Sequence, residues 1–210
     1  MRYVALKFDM VRSRRLPRRD EVQKQFLATA ADINRQFGDY MAAGFVVTHG
    51  DEAQVLLEAQ QARWAFKLFE YLALSLRGVE FRCGIGLGTL STALQPLSVG
   101  MDGEAWQNAQ EALDKAKKGK LIISFSGFDP ELEFQLNALG NLLCHVQARW
   151  SEEQLQTILL LSRLGKQRDV AAELGISEAA VSKQLTAAGW HHYSRGRDAL
   201  ERLLVKTTAE

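Results

Sequence analysis

The sequence predicts an α+β protein: a ferredoxin-like or palm-type sandwich over residues 1–128, a connector helix over 129–149, and a small all-α helix-turn-helix domain over 150–210. Three observations predict it. Alternating apolar segments and helical periods follow one another as β-α-β-β-α-β, then helix and strand, an order that suits an antiparallel sheet backed by helices. No strand pattern follows "KLIISFS". "KQRDVAAELGISEAAVSKQLTAAGW" then sets two short apolar helical faces on either side of a glycine.

"RYVALKFD" alternates as a strand and ends at Asp9. A basic loop follows with Arg12, Arg14, Arg15, Arg18 and Arg19. Asp20 and Gln23 have the spacing of a capping box, and Val22, Phe26, Ile33 and Phe37 recur at helical spacing, so a helix is expected over 20–37. "AAGFVV" and "VLLEA" flank Gly50-Asp51 as the two strands of a hairpin. Ala65, Phe69, Leu72 and Leu76 share a helical face that Gly78 ends. In "FRCGIGLGTLST", Gly84, Gly86 and Gly88 fall at period two, leaving one strand face without side chains. Such a face admits either a closely packed helix or a ligand. Ala105, Ala109, Ala112 and Ala116 form a helical stripe small enough to lie close to a sheet. Asp129 and Pro130 open the next helix, and Ser151 with Gln154 forms a second capping box.

Hydrophobic residues make up 47% and charged residues 24% of the 210, with a net charge of +1, so a nucleic-acid surface has to come from a local patch. Cys83 and Cys144 stand far apart in apolar contexts, which argues against a disulfide framework. The cysteines and four histidines show no zinc spacing. The N-terminus has no secretory pattern and no apolar run is long enough to span a bilayer, so a cytoplasmic protein is expected.

In the C-terminal motif, Val170, Ala171 and Leu174 form the first apolar face, Gly175 permits a left-handed turn, Ile176 is expected to plug the core, and Ser177 to cap the second helix. Val181, Leu185 and Ala188 form the buried stripe of that helix. Ser177, Glu178, Ala179, Ser182, Lys183 and Gln184 are then the candidates for contacting double-stranded DNA, because amide, ammonium and hydroxyl groups hydrogen-bond to base edges and phosphates. Downstream, Arg195 and Arg197, with His191, His192 and Tyr193, are candidates for the backbone. A trihelical protein-interaction module is the alternative.

Asp9 and Asp51 lie on elements that a β-α-β-β fold places side by side, and two converging carboxylates suit Mg²⁺. "FDMVRSRRL", "THGDEAQVLL", "FRCGIGLGTLST" and "VGMDGEAWQNAQEAL", in this order, resemble the SatD family, a distant relative of nucleotide-cyclase and GGDEF palm domains whose chains often end in a helix-turn-helix. The resemblance implies Asp9, Asp51 and Glu52 as metal ligands, and it implies a nucleotide as the ligand. Arg12, Ser13 and Arg14 are the candidates for holding its phosphates. The chain departs from the relatives at His49 and Ala53. At Gln110 it lacks the arginine that SatD-like sequences tend to carry, while Asn108 stands near the relatives' asparagine. Loss of a cation weakens phosphoryl transfer, so no catalytic residue is assigned. Three readings stay open for the first domain: a nucleotide sensor without turnover, a weak cyclase-like enzyme, and a dimerisation scaffold. The protein as a whole is expected to be a homodimeric transcriptional regulator.

Overall fold

The computed structural model describes residues 1–13 and 16–206. Five strands form one sheet: β1 (Tyr3–Met10), β2 (Ala43–Val47), β3 (Glu52–Glu58), β4 (Phe81–Gly88) and β5 (Ile123–Ser126), in the order β2-β3-β1-β4-β5. The first four pair antiparallel with α1 (Arg19–Phe37) and α2 (Trp64–Ser75) in the connections, which is the ferredoxin-like order read from the sequence. The sheet is nevertheless mixed. β5 runs parallel to β4, because α3 (Glu104–Gly119) carries the chain back to the same end before it re-enters.

Side chains of β1 alternate between faces. Val4, Leu6, Phe8 and Met10 are buried on one, where Phe26 of α1 meets Phe81 of β4 at 5.3 Å. Tyr3 and Ala5 face α3 and cluster with Ala105, Trp106 and Ala109. The three glycines of β4 are floor for that helix. A Cβ on Gly84 would stand 2.2 Å from the Ala109 carbonyl oxygen, and one on Gly86 would stand 2.1 Å from the Ala109 nitrogen. Of the two explanations for the bare strand face, the packed helix is the one realised.

Both sheet edges are closed by asparagine side chains. On β2, the Asn34 amide accepts from Phe45 N–H and donates to Phe45 C=O, both at 2.8 Å. The β4–α3 loop adds a bond from Gly44 N–H to Pro96 C=O at 2.9 Å. On β5, Asn137 accepts from Phe125 N–H at 3.0 Å and donates to its C=O at 3.2 Å, while Asn141 accepts from Ile122 and Ile123 N–H and donates to Ile123 C=O at 2.8 Å. Both residues belong to α4 (Pro130–Gln147). The first part of the expected connector therefore serves as the border of the sheet.

The helix starts partly follow expectation. Asp129 caps α4 through bonds from the Glu131 and Leu132 N–H groups at 3.1 and 3.3 Å. Ser151 and Gln154 form the expected capping box of α5 (Glu152–Leu164). Asp20, in contrast, does not cap α1: the helix starts one residue earlier, behind Arg18 in a left-handed conformation, and Asp20 lies in the first turn, where the helix dipole favours a carboxylate.

The chain divides into two compact units, Met1–Asn141 with the end of the last helix, and Leu142–Ala199. The second holds α5, α6 (Gln167–Leu174), α7 (Glu178–Ala187) and most of α8 (Trp190–Lys206). Its core is aromatic. Trp150 lies 4.7 Å from Tyr193 and 6.0 Å from Trp190, ring to ring, and its indole N–H donates to Ala188 C=O at 2.9 Å. Cys83 and Cys144 are free and buried. No helix among the described residues is long and apolar enough to cross a membrane.

At the far edge of α3, Glu111 pairs with Lys115 at 3.0 Å, and Lys115 also reaches Glu133 at 3.4 Å. The Lys115 ammonium holds the Glu111 carboxyl below the ordinary glutamate value, and Glu111 holds Lys115 above the ordinary lysine value. A depressed carboxyl stabilises the fold above its unfolded value and loses that contribution as pH falls through its folded one. A raised lysine loses its contribution as pH rises through its folded value. Both side chains are about half exposed, so Glu111→Gln is expected to cost less than about 1 kcal/mol near neutral pH. Urea titrations of the two proteins should converge in acid and in high salt.

Candidate functional site

The face of β1 that meets α3 carries two charged side chains, Lys7 and Asp9. Strand register fixes what stands beside them. Asp9 lies between Glu52 of β3 and Arg82 of β4, and Lys7 lies between Gln54 and Gly84. Because directly paired residues share a face, Glu52, Asp9 and Arg82 form one row across three strands. The second contact to each β1 residue comes from α3. The Lys117 ammonium sits 2.9 Å from the Asp9 carboxylate, whose side chain is only 18% exposed. The Lys7 ammonium donates to Gln110 Oε1 at 2.6 Å, and the Gln110 amide donates in turn to Asp114 at 3.1 Å.

The other expected acidic ligands are engaged separately. Asp51 lies in the turn before β3. Its backbone C=O accepts from Met10 N–H at 2.9 Å and its carboxylate accepts the Ser13 hydroxyl at 2.6 Å. The Glu52 carboxylate lies 3.7 Å from His49 Nδ1. Among the described residues no group of three or more His, Cys, Asp or Glu side chains could hold a metal ion. With an ammonium already on Asp9 and a hydroxyl on Asp51, this donor set does not fit Mg²⁺, which takes unencumbered carboxylate oxygens.

Ser13, expected as a phosphate ligand, is instead 7% exposed and fastens its loop to the Asp51 turn. Arg12 is exposed, with a left-handed backbone (φ 55). Arg14, the third expected phosphate ligand, lies outside the described residues. Asn108 is tied to β4. Its amide donates to Leu87 C=O at 2.7 Å, and Gly127 is its close neighbour in the turn after β5, where an added Cβ would stand 2.3 Å from it. Asn108 is therefore a clamp between helix and strand. Sequence reasoning missed Lys7 and Lys117. The available signal was the polar pair in "ALKFD", where two charges at period two must share a face.

Where α3 leaves β1 and β3 uncovered, an open cleft of about 460 Å³ remains. Its floor is Lys7 and Gln54, and its walls are Trp106, Gln107 and Gln110 of α3 with Met101 and Asp102 of the preceding loop.

In the second unit the helix-turn-helix forms as expected at its turn: Gly175 is left-handed (φ 64), and the Ser177 hydroxyl accepts from Ala180 N–H at 3.2 Å. Glu178, Ala179, Ser182 and Lys183 lie on the exposed face of α7. Three expectations are corrected. Ile176 does not plug the core and is 36% exposed. Gln184 faces inward, its side-chain oxygen taking the hydroxyl of the fully buried Thr157 on α5. Tyr193 is 2% exposed, within the aromatic core. Arg197 is half buried, with its guanidinium 5.4 Å from the centre of the Trp190 ring. Arg195 is exposed.

The family model of SatD, the SatD family, matches residues 3–204. No curated protein matches the chain. Among solved structures, one described as the structure of a bacterial light-regulated adenylyl cyclase aligns at 13% identity with a TM-score of 0.47. A second of the same description aligns at 12% with a TM-score of 0.42. In each case 60% of this chain is covered, and the match spans 43% of the length of the other chain.

Proposed function

The chain belongs to the SatD family, and from that premise we propose that it is a DNA-binding regulator whose α+β unit senses a small ligand or assembles the protein. The observation that carries the reading is α7: a helix capped by Ser177 behind a left-handed glycine turn, seated on Val181 and Leu185, and presenting Glu178, Ala179, Ser182 and Lys183 outward. A helix held in this way has its backbone fixed from one side and its side chains free on the other, which is what reading a major groove requires.

The inward Gln184 narrows the reading surface to the first two turns of α7. Ser182 and Lys183 are its chemically specific members, with Arg195 as a phosphate contact. As a homodimer the protein would place two such helices about 34 Å apart, on successive major grooves. A ligand on the α+β unit changes DNA affinity only so far as it prefers one of two arrangements of the dimer.

The test is genome-wide binding followed by gel shift on recovered fragments. Lys183→Ala should weaken specific binding by roughly tenfold, the equivalent of about 1–3 kcal/mol for a base contact. Arg195→Ala should weaken all sequences alike and lower the salt slope by about one. Binding that survives both substitutions unchanged would remove α7 as the reading helix.

A further inference from the structure

We propose that the cleft over Lys7 is a binding site for a small organic oxyanion bearing N–H or O–H donors, and that it works without a divalent metal. The proposal deepens the sensory reading of the α+β unit and rests on it.

The cleft's chemistry is dominated by donors. Lys7 is half buried and spends one of its three N–H groups on Gln110, so two still point away from that bond. Trp106 lines the same cleft, is 8% exposed, and has an indole N–H that is buried and meets no acceptor among the described residues. A buried donor left without an acceptor is costly, and a ligand oxygen that reached the edge of the ring would relieve that cost. The Gln107 amide extends the donor set along α3, and the Gln110 amide has one N–H left beside the one it gives to Asp114. Donors that line one cleft suit an oxyanion, a carboxylate or a phosphate.

The opposite wall defines the rest of the ligand. Asp102 brings a carboxylate, which spends one oxygen on Gly103 N–H at 2.7 Å. An anion alone would be repelled there, whereas an amino, ring N–H or hydroxyl group on the ligand would be held. At about 460 Å³ the space suits one small metabolite and lies within the usual range of about 300–1,000 Å³ for such sites.

Metal independence follows from the neighbouring turn of α3. The Asp9 carboxylate already has a cation, the Lys117 ammonium at 2.9 Å, tethered to the chain. Mg²⁺ would have to displace it and still find further oxygens. Lys117 neutralises the acid and leaves Lys7 as the charge that the ligand meets.

Calorimetry on the full chain in EDTA, and again with Mg²⁺, tests this with AMP and GMP as phosphate probes and L-glutamate and L-serine as carboxylate probes. At least one probe should bind equally with and without the metal. Lys7→Gln should weaken that probe tenfold or more. Trp106→Phe, which keeps the ring and removes the N–H, should weaken it several-fold, with the melting temperature of each variant checking its fold. Binding that needs Mg²⁺, binding indifferent to Lys7→Gln, or no heat from any probe would overturn the proposal. The gel shift of Lys7→Gln separates the two ideas, since intact DNA binding by that variant leaves the reading helix standing whichever way the cleft behaves.

Discussion

Gly86→Ala should be among the most damaging single-methyl substitutions available in this chain. The added carbon would lie 2.1 Å from the Ala109 nitrogen, 2.4 Å from the Ala105 carbonyl oxygen and 2.6 Å from the Asn108 carbonyl carbon. All three are backbone atoms of α3, so no rotamer change relieves the collision. Ordinary contact is about 3.5–4.0 Å, so the helix has to lift by roughly 1.5 Å. That movement opens the packing of Ala105 and Ala109 on the sheet, both fully buried. Overpacking of this kind costs about 1–3 kcal/mol and sometimes more, and a clash against fixed backbone belongs at or beyond the upper end. A fall in melting temperature of roughly 10 °C is expected, large against a total stability of about 5–15 kcal/mol. Gly38→Ala is the control. Its backbone is right-handed and nothing lies within 4 Å of the new carbon, so it should be neutral or slightly stabilising. Equal melting of Gly86→Ala and wild type would mean that α3 does not rest on β4 as described.

Trp150→Ala should undo the second unit. Trp150 is 4% exposed, packs on Trp190 and Tyr193, and donates its indole N–H to the Ala188 carbonyl at the end of α7. Removing a buried ring of this size costs about 3–5 kcal/mol, and the Ala188 carbonyl loses a donor besides. Trp150→Phe separates the terms: it keeps most of the apolar area and should cost about 1 kcal/mol from the lost hydrogen bond plus a smaller packing loss. The expected result for the alanine variant is loss of the near-ultraviolet signal of the aromatic cluster and loss of DNA binding. Hydrogen exchange in β1 and β3 should keep its protection. Full protection of α6 and α7 in Trp150→Ala would show that the cluster is not what holds the reading helix.

These two residues mark how far the sequence could be read. Glycines at 84, 86 and 88 announce a missing strand face, and the alanine stripe of α3 announces a helix of matching shape; each observation alone admits several explanations, and together they specify one interface. The ferredoxin-like order of the first four strands was legible for the same reason, since local periods and short turns determine it. The parallel entry of β5 was less so, because the direction of a strand after a crossover depends on where a helix docks. The site divides in the same way. Asp9 and Glu52 are recognisable as acids, and His49 stands three positions from Glu52, but the partner of Asp9 comes from Lys117 on a distant helix, and nothing local in "DKAKKG" says that it will reach Asp9. In the second unit the helical wheel gave the buried stripe of α7 correctly. It could not reveal that Thr157 would take Gln184, or that Trp150 would take Tyr193 into the core, because both partners lie on other elements.

The asparagines at the two borders of the sheet have a consequence for how the protein can associate. Asn34 on one side and Asn137 with Asn141 on the other occupy the N–H and C=O groups through which a sheet recruits a further strand. Each asparagine imitates a length of neighbouring backbone while belonging to a helix that cannot itself be extended as a strand. The sheet is thereby finite. At these positions a second copy would have to displace an asparagine before it could add a strand, which favours contacts through helices and loops over a continuous sheet.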